Sequence, residues 1–339
     1  MFSLRLCLVV LAFVMLVAGG RTVKAIERAS GADAMKVSEG PALQSGRGSH
    51  AGGVINGHAI VAGGTAWSAD KKTKSFLSDS LVYRDEKWSP GPELPHAVSE
   101  PMFASDGKDL YVMGGRRSGT EINDDAFRLA EVDGKLRWNE LPRLPVGLTA
   151  GGGAILDGQL FVACGTTSEG ASNRVLSLDV NSAGAKWREL AVLPGPGRMY
   201  PALVACGKSV YLLGGMRVVP QQGMEVFSDA YRYDPKSDKW ERLPDLPARG
   251  YCWVASPIDD ANVLIAGRAD GAIHDEVWRV SVSDMRVQSV GNTVIQTTCA
   301  PLLRVSDDTW WLVGGEPNSN KTRTEKVSII RKGSGDERH

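Results

Sequence analysis

The chain is patterned by short apolar runs that end on small residues and come back at a nearly fixed interval. Ala59-Ile60-Val61-Ala62-Gly63-Gly64 is followed by Leu110-Tyr111-Val112-Met113-Gly114-Gly115 and Leu160-Phe161-Val162-Ala163-Cys164-Gly165. The run returns as Val210-Tyr211-Leu212-Leu213-Gly214-Gly215, and in weaker copies at Val263-Leu264-Ile265-Ala266-Gly267 and Trp310-Trp311-Leu312-Val313-Gly314-Gly315. Apolar runs this short, bounded by glycine, read as buried strands and not helices. The second position of each pair falls at 64, 115, 165, 215, 267 and 315, a period close to fifty residues. A second marker keeps step. Trp88, Trp138, Trp187 and Trp240 follow their pairs by 22 to 25 residues and lead into the turns Glu93-Leu94-Pro95, Arg143-Leu144-Pro145, Val192-Leu193-Pro194 and Asp245-Leu246-Pro247. Between the two markers lies a further strand, clearest in Asp229-Ala230-Tyr231-Arg232-Tyr233-Asp234-Pro235. Each repeat therefore predicts four short strands, and four-stranded units set radially close into a propeller that leaves only short edges exposed.

The two markers in phase resemble the kelch repeat over roughly residues 33 to 331. The expected class is all-β, a six-bladed kelch-type β-propeller occupying residues 26–331, with a disordered tail at 332–339. Local departures are Cys164 and Ala266 in place of the first glycine of their pairs, and the loss of the tryptophan near Val287. The last repeat stops after Lys326 to Arg331 with no outer strand of its own. Ala34 to Pro41 precedes the first repeat and has no blade, so it is expected to supply that strand and close the ring.

The ends of the chain and its charge narrow the setting. Arg5, the apolar run Leu6 to Ala18 and the small residues of Val23-Lys24-Ala25 read as an export signal over residues 1–25, which points to a periplasmic or secreted protein. The run is shorter than the roughly 20 residues of a spanning helix, and retention as an anchor is the other reading. Cys7 lies inside the run and not after it, so a lipoprotein cleavage site is not indicated. Cys164, Cys206, Cys252 and Cys299 are widely spaced within apolar runs, which reads as buried thiols, with one bridge such as Cys252 to Cys299 the alternative. Lys plus Arg and Asp plus Glu number 39 each. That balance gives no basic surface for nucleic acid or for a membrane, and leaves room for a local pocket for a small anion. Oligomeric state is not legible.

In a propeller the mouth of the central channel collects the residues after each pair and those that open each inner strand. The first set reads Thr65, Arg116, Thr166, Met216, Arg268 and Glu316, and the second includes Arg47, Glu100, Arg198, Arg249 and Gln296. A rim rich in arginine within a neutral chain suits a carboxylate ligand. In Gly314-Gly315-Glu316-Pro317-Asn318-Ser319-Asn320-Lys321-Thr322-Arg323, a short loop can return Arg323 beside Glu316. This element resembles the Gly-Glu, short loop, Arg element of the sialic acid mutarotases (N-acetylneuraminate epimerases), which are six-bladed kelch propellers. Gly195-Pro196-Gly197-Arg198 and Val226 to Pro235 are similar to other segments of that family, in an order that implies a circularly permuted relation. The resemblance implies an isomerase acting on a small anionic sugar such as N-acetylneuraminate. Glu316 would be the general base and Arg323 the carboxylate clamp, with Arg198, Arg47, Arg249 and Arg116 as further substrate contacts and no metal or redox cofactor. Two other classes compete. A non-catalytic kelch module would bind a protein or glycan through its loops, although the loops here are mainly Ser, Asn, Asp, Arg and Gly. A copper radical oxidase needs converging His and Tyr ligands, and after the signal only His50, His58, His96, His274 and His339 remain. No serine hydrolase or P-loop motif is present.

Overall fold

The computed structural model describes residues 26–333; the expected signal, residues 1–25, and residues 334–339 of the expected tail lie outside the described residues. Among the described residues, six sheets of four or five strands form the blades of a propeller. Blade one comprises Ala51–Ile55, His58–Ala62, Ser80–Arg84 and Lys87–Pro90, and the pattern repeats around the ring. Within each blade the strands of its own repeat pair antiparallel, and two-residue turns such as Asn56-Gly57 and Asp133-Gly134, with both residues at positive φ, reverse the chain at hairpins of this kind.

The ring closes as the sequence predicts. Met35–Glu39 pairs antiparallel with Val327–Lys332 and becomes the outer strand of blade six, with Met35 opposite Lys332 and Glu39 opposite Ser328. The strand thus runs one residue beyond the expected end of the domain at 331. A further piece was not foreseen: Glu27–Arg28 adds in parallel to Val287–Asn292 as a fifth strand of blade five. The two N-terminal strands therefore tie blades five and six together. This is the pair of blades without a tryptophan marker.

The apolar core lies between blades and not at the axis. Six buried clusters each join residues of two neighbouring blades; Ile60, Val82, Leu110, Val112 and Leu129, for example, fill the slab between blades one and two. The outer-strand tryptophans fasten these slabs. Each donates its indole N–H to a carbonyl of the preceding blade's outer turn: Trp88 to Pro41 (2.8 Å), Trp138 to Pro92 (3.0 Å), Trp187 to Pro142 (2.7 Å) and Trp240 to Ala191 (2.8 Å). The glycine pair has an equally local cause. A Cβ on Gly114 would stand 2.1 Å from the Leu148 carbonyl oxygen of the next blade, and the pair runs at positive φ.

In blade five the register differs from the sequence expectation. Ala269 bridges Tyr251 just as Glu316 bridges Thr298 and Arg116 bridges Ser99, so Gly267 and Arg268 are the pair and Ala269 is the residue after it. The weak copy of the motif lost its second glycine, not its first. Arg268 is consequently packed inside the blade, 5.0 Å over the Trp278 ring and paired with Asp270 and Glu276, and does not belong to the rim.

Candidate active site

Six residues that open the inner strands meet around the axis. They are Ser49, Glu100, Ala150, Tyr200, Cys252 and Cys299, one from each blade, and every one has a positive φ between 51° and 57°. Their backbones form a closed circle of hydrogen bonds. The N–H of Glu100 donates to the Ser49 carbonyl, Ala150 to Glu100, Tyr200 to Ala150, Cys252 to Tyr200, Cys299 to Cys252 and Ser49 back to Cys299, at 2.6 to 3.3 Å. A left-handed conformation is costly for residues other than glycine, and it persists where the surroundings over-determine it. Here the circle supplies that constraint. It forms a throat, and on the side of the inner-strand hairpins all six residues line a cavity of about 630 Å³ walled mainly by small and apolar side chains of the inner strands.

Glu316 sits at the loop side of this throat, beside Thr298, with which its backbone pairs. The Ser49 hydroxyl donates to Glu316 Oε1 at 2.9 Å, and Arg323 Nη2 lies 3.0 Å from the same oxygen. Arg323 is held in turn: Nε donates to Thr65 Oγ1 (3.1 Å) and Nη1 to the Thr322 carbonyl (3.1 Å). Room for this pair comes from Gly48. A Cβ there would stand 2.6 Å from Arg323 Cδ and 3.0 Å from Glu316 Cγ. The Glu316–Arg323 element thus bridges blades six and one at the axis.

Around the same throat, Glu100 is a second carboxylate. Arg116, which occupies in blade two the position of Glu316 in blade six, places Nε 3.2 Å from Glu100 Oε2. Tyr200 reaches past the small Ala150 toward Glu100. Burial, and then the Glu100 charge, hold its phenol protonated well beyond the ordinary tyrosine range. Cys252 and Cys299 are free thiols that face each other; burial first, then the neighbouring thiol, raises Cys252 well above the usual thiol value. His50, next to Ser49, is buried beside Arg47 and Arg323 and kept neutral, its pKa pushed well below 6.5 chiefly by desolvation.

The other expected contacts separate into two groups. Arg198 is fully buried and bidentate to Asp229 (2.5 and 2.9 Å), with a further bond from Nη1 to the Gly214 carbonyl. Arg47 is likewise buried, donating to Asp79 (2.5 Å) and to the Gly63 carbonyl. Both guanidiniums are spent inside the blades, and the expectation that they contact substrate is corrected. Arg249 is exposed on the loop face, and its guanidinium, like the Nη groups of Arg116, has no partner among the described residues. Sequence reasoning passed over Ser49 and Tyr200. A signal was there: each throat residue precedes the second position of its pair by fifteen or sixteen residues.

Comparison with known proteins meets this geometry from another direction. The family model described as N-acetylneuraminate epimerase matches residues 141–297. The chain resembles the N-acetylneuraminate epimerases. It is 27% identical over 184 residues to the N-acetylneuraminate epimerase of Haemophilus influenzae (strain PittEE), covering 54% of this chain and 48% of that protein. To the N-acetylneuraminate epimerase of Yersinia enterocolitica it is 30% identical over 137 residues, or 40% of this chain and 34% of the relative. The chain spans about half the length or less of these curated relatives. The family match ends at residue 297, before Glu316.

Proposed function

We propose that the chain is a carbohydrate isomerase that interconverts the anomers of N-acetylneuraminate or a closely similar sugar acid. One observation carries this reading: a carboxylate, Glu316, fixed at the propeller axis between an axial hydroxyl and a guanidinium. Mutarotation opens a cyclic hemiketal, turns one bond and recloses the ring on the other face. Opening needs a proton removed from the anomeric hydroxyl and one delivered to the ring oxygen. Glu316 accepts the first, and a positioned acid–base group contributes about 10²- to 10⁴-fold. Arg323 has three of its N–H groups committed, so its main work is to hold Glu316; the free Nη groups of Arg116, and Arg249 at the rim, suit the sugar's carboxylate. The names of the curated relatives support the substrate class. The reading includes a periplasmic or secreted location, on the strength of the pattern in residues 1–25.

The test is proton NMR of freshly dissolved α-anomer. The unaltered protein accelerates equilibration over buffer, and Glu316→Gln lowers kcat by about a hundredfold or more. Equal rates with and without protein would replace the isomerase by a ligand- or protein-binding propeller.

A further inference from the structure

Resting on the isomerase reading, we propose that Glu100 is a second catalytic carboxyl, exchanging a proton with the sugar's ring oxygen while Glu316 exchanges one with the anomeric oxygen. The geometry links the two acids through one residue. Ser49 accepts a backbone hydrogen bond from Glu100 (2.9 Å) and donates its hydroxyl to Glu316 (2.9 Å), so both carboxyls stand at one sector of the throat. They are matched in kind as well. Each has a guanidinium on one oxygen, Arg323 for Glu316 and Arg116 for Glu100, and the two acids belong to blades two steps apart around the ring. Glu100 also borders the 630 Å³ cavity, and its carboxyl is held by Arg116, the blade-two counterpart of Glu316.

The chemistry closes with one shared proton. The reactive form is the one in which Glu100 has taken up a proton and Glu316 is the carboxylate: the anomeric O–H gives its proton to Glu316, the bond from the anomeric carbon to the ring oxygen breaks, and the ring oxygen takes the proton from Glu100. A free ketone and a hydroxyl result. Reclosing on the other face returns the hydroxyl's proton to Glu100 and the Glu316 proton to the ketone oxygen. No proton is gained or lost over the cycle, and the two carboxyls divide the acid and base roles. Tyr200 and Arg116 are positioning residues beside Glu100: the phenol stays protonated next to the carboxyl, and Arg116 holds one of its oxygens.

The experiment compares unaltered protein, Glu316→Gln, Glu100→Gln and Tyr200→Phe by anomer-equilibration NMR over a range of sugar concentrations, with thermal melts as a control for folding. Glu100→Gln is expected to lower kcat about a hundredfold with KM within a few-fold. Tyr200→Phe is expected to lower kcat roughly tenfold, again with little change in KM, and Glu100→Asp should recover part of what the Gln variant loses. Glu100→Gln at the unaltered kcat, with Glu316→Gln impaired, would overturn this inference and leave the isomerase reading standing. No acceleration by the unaltered protein would remove both. A Glu100→Gln loss confined to KM would make Glu100 a binding residue and also overturn the proposal.

Discussion

At the residue scale, the site depends on atoms that are absent. Gly48→Ala puts a methyl group against Arg323 and Glu316 and must displace the pair. A 1 Å shift of a catalytic group costs on the order of a hundredfold, so this variant should lose activity while its melting temperature moves by only a few degrees; parallel kinetics and calorimetry check this. Arg198→Ala should behave the other way round. It leaves Asp229 without its buried partner, costs about 3–5 kcal/mol in chemical denaturation, and any loss of activity follows from unfolding. His50 gives a pH signature. Unfolded, it titrates near 6.5; folded, it is held well below that. The unfolded state therefore binds the extra proton between those values, so the His50 contribution is complete above about pH 6.5 and is lost as pH falls from there toward the folded value. His50→Gln should flatten that part of the profile in urea titrations at pH 5 and 7.5, and an unchanged slope would refute the assignment. The pairing of Glu316 with Arg323 was legible, because a short loop after the glycine pair can return an arginine beside the glutamate. Arg47 and Arg198 misled because arginine near the start of an inner strand looks identical in sequence whether it faces the axis or an aspartate. Their position two residues before the throat, and not in it, decides the matter.

At the scale of the blade, two markers fifty residues apart carried nearly all of the architecture, because a strand that must approach its neighbour's backbone can only be written with glycine there. The register of blade five escaped, since Arg268 stands where the second glycine belongs and its stacking on Trp278 compensates locally. The short parallel strand Glu27–Arg28 escaped too, as two exposed residues leave no pattern to read. Tryptophan tethers make a sharper prediction. Trp88 is buried, bonded to Pro41 and packed edge-on against Tyr83 and Trp311. Trp88→Ala should cost about 3–5 kcal/mol. Trp187→Ala, on a more exposed indole, should cost clearly less, and equilibrium denaturation of the two variants would show it.

For the whole molecule, closure is made by strands from the two ends of the described chain. Removing residues 26–41 takes away the outer strand of blade six and the acceptor for Trp88 together. The expected outcome is loss of the single cooperative melt and appearance of aggregates in size-exclusion chromatography; a sharp, unchanged transition would mean that the remaining slabs hold the ring alone. The circle of six left-handed residues has a consequence of another kind. One and the same main-chain solution is used six times, yet its occupants are a hydroxyl, an acid, a methyl, a phenol and two thiols. Shape and chemistry are therefore separately adjustable there: natural variation, or a designer, can rewrite the lining of the pore one sector at a time without renegotiating the scaffold. The restriction falls on branching at Cβ, which this conformation tolerates poorly, and no valine, isoleucine or threonine occupies any of the six places.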